Sequence, residues 1–497
     1  MDNQPLFDIG KLRDLLAYDA ANPLLFNSGL FLILFLIFIF IYRLMARHKN
    51  VKMVFVILFS LYFYYKSSAE YCFILLGVCV SDYCLGLLMG NIVTQWKRRL
   101  IVLLNVLLNI GMLVYFKYLN LLWETICNFT HTQFDALDII LPAGLSFFTF
   151  RSISYIVDIY RGHMPPCRNF LEYTFFLTFF PPLLAGPVVR AKDMLPQIKE
   201  NPVATHAMVC EGIFLIIAGL IKKVVVADYI GGGFVDRVFD NPALYSGFEN
   251  IMAVYGFCIK LYCDFSGYSD MAIGIALLLG FRFKDNFLSP FKSQSPTEFW
   301  RRWHISLSTW LRDYVYIPMG GNRKGRARTH FNQFTTMLVG GLWHGASWMY
   351  LLWGAINGVL LVIHKELKRW FPSLPPHKQG QWWRVAANVF ITFNLIAITL
   401  MIFNARSLDH LGDMTTQIFT NFHLSVAPQF VNGFLMIVLA MTLGFFMHLA
   451  PSAWTARLKQ LFSRTPLLLQ ALILALVLFI IIQVRQSDLV PFIYLQY

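Results

Sequence analysis

Two histidines stand out by the residues around them. His304 lies in FWRRWHISLSTWLRDYVYIPMGGNRKG (299–325), and His344 lies in LVGGLWHGASWMYLLWG (338–354). An imidazole changes charge near neutral pH, so it can take a proton from a weak nucleophile and return it later. His344 sits in an apolar run rich in small residues that let backbones approach closely. An ionisable side chain at membrane depth is costly and tends to face a cavity. A neutral imidazole bridging two helices by hydrogen bonds would account for the same residues. A third group is YGFCIKLYCDFSGYSDMAIGIALLLG (255–280), where Asp264 and Asp270 lie among Ser266, Ser269 and apolar neighbours. Lys260, four residues before Asp264, is spaced to neutralise it on one helix face. These carboxylates read either as acid–base groups or as members of structural ion pairs.

The elements that must position these groups are helical. At 100° per residue, Trp300, Trp303, His304, Leu307, Trp310, Leu311 and Tyr314 gather on one arc, with Arg301, Arg302, Arg312 and Asp313 mostly opposite. The pattern predicts one amphipathic helix at the membrane interface, stopped by Pro318 and Gly320–Gly321, with His304 at the edge of its apolar face. As a plain anchor, such a helix would carry its histidine incidentally. Residues 334–364 are apolar between two basic flanks and hold five glycines, which predicts a break near the middle of that run. Arg151 and Asp158 interrupt LPAGLSFFTFRSISYIVDIY (141–160), and FFPPLLAGPVVR (179–190) carries Pro-Pro and Gly-Pro pairs, so short or broken helices are expected there.

Composition sets the solvent. The chain has 497 residues, 57% hydrophobic and only 14% charged, which is a membrane composition. Apolar runs predict roughly ten to twelve spans. The net charge of +14 is read as loop Lys and Arg recording topology, and no nucleic-acid partner is expected. Arg43, Arg47, Lys49, Lys52 and Lys97–Arg99 fall on one, cytoplasmic side, as do the basic stretches 282–330 and 365–378. The eight cysteines lack a CxxC pair, and neither a disulfide framework nor a metal site is expected. Residues 1–28 read as an N-terminal amphipathic segment and 29–497 as a single integral-membrane domain.

YCDFSGYSDMAIG (262–274), SPTEFWRRWHISLSTWLRDYVYIPMGGNR (295–323) and GGLWHGASW (340–348) occur in an order that resembles the membrane-bound O-acyltransferase family. LPAGLSFFTFRSISYIVDIYRG (141–162), FFPPLLAGPVVR and the closing FIYLQY (492–497) extend the likeness over about residues 30 to 497. Within the family it looks most like the bacterial branch of alginate O-acetylation and teichoic-acid D-alanyl transfer. The resemblance implies an all-α polytopic fold, a ring of helices around a thin centre with a tunnel, plus short re-entrant and interfacial helices. It implies transfer of an acyl group, acetyl by likeness of length, from a cytoplasmic thioester to a hydroxyl of an exported polysaccharide, directly or through a periplasmic partner. No bound cofactor is implied; acetyl-coenzyme A or an acyl carrier protein would be the co-substrate. His344 would be the main catalytic residue and His304 the second. Arg151, Asp264, Ser266, Trp303, Trp343, Arg301 and Arg312 are candidate substrate contacts, with membrane lipid an equal partner for the arginines. The implied location is the bacterial cytoplasmic (inner) membrane. A transporter or an export scaffold shares the broken helices and buried charges, although no inverted repeat is seen.

Overall fold

The computed structural model describes residues 9–20, 22–371, 381–484 and Phe492. Residues 1–8 of the N-terminal segment, Lys378 and 493–497 of the closing motif lie outside the described residues. Every regular element among the described residues is helical. The helices divide into two compact units, residues 1–204 with 279–281, and 205–278 with 282–497.

The first unit is built on α1 (Gly29–Leu44), α2 (Lys49–Ser68), α3 (Cys72–Asn91), α4 (Gln95–Leu113), α5 (Leu145–Tyr160) and α6 (Phe170–Thr178). Ser28 starts α1 by accepting the Phe31 N–H at 3.2 Å, which satisfies one of the donors a helix start leaves open. Phe31, Phe38 and Phe63 pack on Phe180. In lipid such packing gains dispersion contact more than release of water. The outward faces carry Leu36, Phe40, Leu58 and Phe73, all exposed, as a hydrocarbon-facing surface requires. One polar network joins four helices: Asp82 on α3 accepts from Asn105 at 2.8 Å, Ser152 at 2.7 Å and Tyr173 at 2.6 Å. Arg151 on α5 is fully buried; its guanidinium donates to the Phe176 carbonyl and lies 4.8 Å from the Phe176 ring.

The second unit is organised by α8 (Gly247–Leu278), 32 residues long, packed along α7 (His206–Leu220). Glycines set that spacing. A Cβ on Gly219 would come within 2.5 Å of the Gly267 carbonyl oxygen, so the backbones touch only without side chains here. The same device closes a hairpin between α11 (Arg326–His344) and α12 (Trp348–Trp370), where a Cβ on Gly354 would lie 2.6 Å from the Met337 carbonyl. The connection is three residues long: Gly345 is extended, and Ser347 caps α12 by accepting the Met349 N–H at 3.2 Å. The break expected in 334–364 therefore falls directly after His344. Between α8 and α11 lie two short helices, α9 (Pro296–Arg302) and α10 (Ile305–Leu311), and after α12 come α13 (Trp382–Asn404) and α14 (Leu435–Leu449).

Among the described residues, four helical stretches have the length and apolarity to cross a membrane: Lys49–Asn91, Gln95–Thr130, Trp348–Trp370 and Trp382–Asn404. A bent pair, Leu424–Gly433 with Leu435–Leu449, makes up to five. This is fewer than the ten to twelve runs counted in the sequence, for two reasons. Lys49–Asn91 joins two sequence runs across a kink at Ala69, whose φ is +48°. Other runs are cut short, like Gly29–Leu44, or carry paired charges, like α8 with Asp264 and Asp270.

Candidate active site

The stretch around His304 is not one amphipathic helix. Ser295 caps α9 by accepting the Glu298 N–H, α9 ends at Arg302, Trp303 is extended, and His304 takes a left-handed conformation (φ 41°, ψ 57°) before α10 begins. A non-glycine residue seldom sits there without external support. Asn286 supplies it: its side-chain oxygen accepts from the Ser306 N–H at 3.1 Å and the Ser306 hydroxyl at 2.9 Å, and lies 3.2 Å from His304 Nδ1. The Ile305 N–H donates to the Asn286 carbonyl at 2.9 Å. An amide oxygen only accepts, so Nδ1 carries the proton of this imidazole. The break turns His304 from the edge of a helix face into the interior, where it is 1% exposed, edge-on to Phe265 at 4.6 Å. His304 lies outside the apolar spans, and burial pushes its pKa down to about 3, so the ring is neutral at physiological pH.

His344 is the last residue of α11, not a mid-span residue, and is 3% exposed. Its ring is enclosed by Trp343 at 5.0 Å, Trp353 at 4.9 Å and Phe403 at 5.1 Å. Trp343 stands between the two histidines, with its ring 5.5 Å from that of His304. His344 lines a small void of about 10 Å³ together with Trp300, Trp303, Trp353 and Phe403.

Next to it opens a cavity of about 650 Å³, walled by Gly345–Ser347, Tyr350, Phe403 and charged residues. Its charges are paired. Lys223 bridges Asp228 at 2.8 Å and Asp264 at 2.5 Å, Lys260 meets Asp236 at 2.5 Å, and Arg406 meets Asp240. Asp264 thus pairs with Lys223 from the preceding helical segment, and the Lys260 partnership expected from four-residue spacing goes to Asp236. The Lys260 ammonium has a carboxylate closer to hand across the helix interface than along its own helix. Phe403 lines both cavity and void.

The other expected contacts divide. Trp303 and Trp343 are beside the histidines. Ser266 is buried on α8, and neither it nor Trp343 is among the residues lining the two spaces. Arg301 is exposed, and Arg312 is 59% exposed and paired with Asp313 at 2.8 Å; both face outward, away from the enclosed spaces. Arg151 belongs to the first unit. Sequence reasoning missed Lys223, Asp228, Asp236, Asp240, Asn286, Trp353, Phe403 and Arg406. For the first two a signal existed: IKKVVVAD (221–228) places two lysines and an aspartate in an oily stretch.

Two buried imidazoles thus flank one indole beside a charged cavity. The chain belongs to the membrane-bound O-acyltransferase family, whose profile matches residues 163–405. It is 41% identical over 397 residues to the probable alginate O-acetylase of Pseudomonas aeruginosa, covering 78% of this chain and 73% of that relative. It is 34% identical over 426 residues to the peptidoglycan O-acetyltransferase of Helicobacter pylori, covering 78% of each. Similarity extends to the teichoic acid D-alanyltransferase of Streptococcus thermophilus, 31% over 288 residues, covering 52% of this chain and 68% of that one. The protein is a multi-pass membrane O-acyltransferase.

Proposed function

We propose that this enzyme moves an acetyl group from a cytoplasmic thioester, acetyl-coenzyme A or an acyl carrier protein, to a hydroxyl of an exported polysaccharide, directly or through an extracytoplasmic partner, in the bacterial cytoplasmic membrane. Two O-acetylating relatives, each aligned over 78% of the chain, support acetyl over D-alanyl, since the D-alanyl-transferring relative aligns over about half. His344 is the general base. An alcohol is a weak nucleophile at neutral pH, so an imidazole within hydrogen-bond reach must take its proton during attack on the carbonyl. The observation that carries this reading is the position of His344, next in sequence to Gly345 of the cavity wall and in edge contact with Phe403, which lines that wall.

The cavity is the acceptor's entrance. Each of its bases already has a carboxylate, which leaves the wall suited to hydroxyl groups more than to the phosphates of a donor. The exposed Arg301 fits the phosphate of an approaching donor, Arg312 could do so only in competition with Asp313, and lipid headgroups meet the same chemistry. His304, whose pKa burial pushes down to about 3, is a much weaker base than an ordinary imidazole, so we assign it the supporting part: it packs on the Trp343 indole against which His344 rests.

The test is purified protein with labelled acetyl thioester and a panel of oligosaccharide acceptors. Label transfer or thioester hydrolysis that disappears in His344→Ala supports the reading. Unchanged turnover in that variant removes His344 from the mechanism, and the absence of any acetyl turnover in the wild type, with donor bound, overturns the acetyl assignment.

A further inference from the structure

Two tryptophans that line the void beside His344 have indole donors that find no acceptor among the described residues. Trp353 is 3% exposed, and its indole Nε1–H has no hydrogen-bond acceptor among the described residues; the buried Nε1–H of Trp300 has none either. Both residues line the same void as His344, with the Trp353 ring 4.9 Å from His344 and 5.6 Å from Trp300. Leaving a buried donor unsatisfied costs the desolvation of that group, so two of them around one small space are a poor way to stabilise a fold. Two other side chains there donate within the fold: Asn357 to the Trp353 carbonyl at 2.9 Å and Thr399 to the Ile396 carbonyl at 2.9 Å. At about 10 Å³ the void has room for roughly one oxygen-sized atom. Its remaining wall is apolar, with Leu261, Phe299 and Leu400, a setting in which a hydrogen bond to developing charge is strong.

We propose that Trp353, with Trp300 beside it, is the oxyanion donor of the acyl transfer, a catalytic residue that binds the thioester carbonyl oxygen as charge develops on it. This rests on His344 being the general base. The acceptor oxygen bonds to the thioester carbon as its proton passes to the His344 imidazole, and the carbonyl electron pair moves onto the oxygen held by the indole N–H. Collapse reforms the carbonyl and breaks the carbon–sulfur bond, and the imidazolium proton goes to the departing thiolate. Ester and free thiol result, and His344 is neutral again.

Trp353→Phe tests the assignment, because it keeps an aromatic ring against His344 and removes only the N–H and the ring bearing it. Turnover is expected to fall by ~100-fold, as for loss of an oxyanion donor elsewhere, with donor KM within about threefold and an unchanged elution profile. Turnover within about threefold of wild type in folded Trp353→Phe, where His344→Ala is inactive, overturns this inference and leaves the general-base reading intact. Should His344→Ala retain turnover, it is that reading which fails. A second measurement does not depend on the Trp353 variant folding. In His344→Ala loaded with acetyl-coenzyme A labelled with 13C at the carbonyl, the infrared carbonyl stretch is expected below that of the free thioester in an aprotic solvent. An unshifted stretch overturns the proposal.

Discussion

Both histidines stand where a helix stops, yet they are held in different ways. His304 occupies a backbone conformation that only outside support maintains, and Asn286 supplies that support through three polar contacts on one amide oxygen. His344 keeps helical geometry as the terminal residue of α11, and aromatic edges and faces restrain its ring. One imidazole is pinned by hydrogen bonds with its proton assigned. The other is steered by shape, beside a cavity. The difference supports the proposed division between a group that maintains geometry and one that exchanges a proton, which the two similar motifs alone do not suggest.

The largest effect should come from the shape-held residue. His344→Ala is expected to reduce acetyl transfer by ~1,000-fold, the scale of a lost general base, while equilibrium binding of the donor, read by isothermal titration, changes little. Equal losses in His304→Ala and His344→Ala, both folded, would erase the comparison. The second effect concerns the backbone at 304. His304→Val, a branched residue in left-handed geometry, should destabilise the protein by ~1–2 kcal/mol, whereas His304→Asn, which tolerates that geometry, should lose less; thermal unfolding in detergent reads the pair. Asn286→Ala should resemble His304→Val in stability.

A third expectation concerns pH. The folded His304 takes up a proton only near pH 3, while in the unfolded chain it does so near about 6.5. The unfolded state therefore binds more protons between these values, and the stability contribution present above about 6.5 is lost as pH falls towards 3. His304→Asn should flatten that part of the unfolding-midpoint profile, and an unaltered slope would place the titrating groups elsewhere. The smallest effect is at the surface: Arg312→Ala breaks an exposed pair with Asp313 and should change stability by less than about 0.5 kcal/mol. A larger loss of turnover with a raised donor KM would bring Arg312 into donor binding.

Much of this was legible in order but not in depth. Composition gives the helical membrane class, and the run of glycines after Phe334 gives the hairpin break, because both depend on local chain properties. The break at His304 is invisible to periodicity, since its cause is an asparagine eighteen residues upstream whose amide reaches back only in the folded chain. Lys260 misled for a related reason: four-residue spacing describes one helix, and the competing carboxylates sit on neighbouring segments. Trp353 reads in the sequence as an ordinary membrane tryptophan, because the missing acceptor of its N–H is a property of the folded chain alone.

The seam between α11 and α12 bears on how this enzyme can vary. Gly341 and Gly354 face one another with no space for a methyl group, and the imidazole hangs less than one turn beyond that contact. Alanine at either position would prise the two helices apart and shift the terminal histidine without altering any reacting atom. Displacement of a catalytic group by about 1 Å can cost ~100-fold in rate, so mutational tolerance should be lowest at two side-chain-free positions that perform no chemistry themselves.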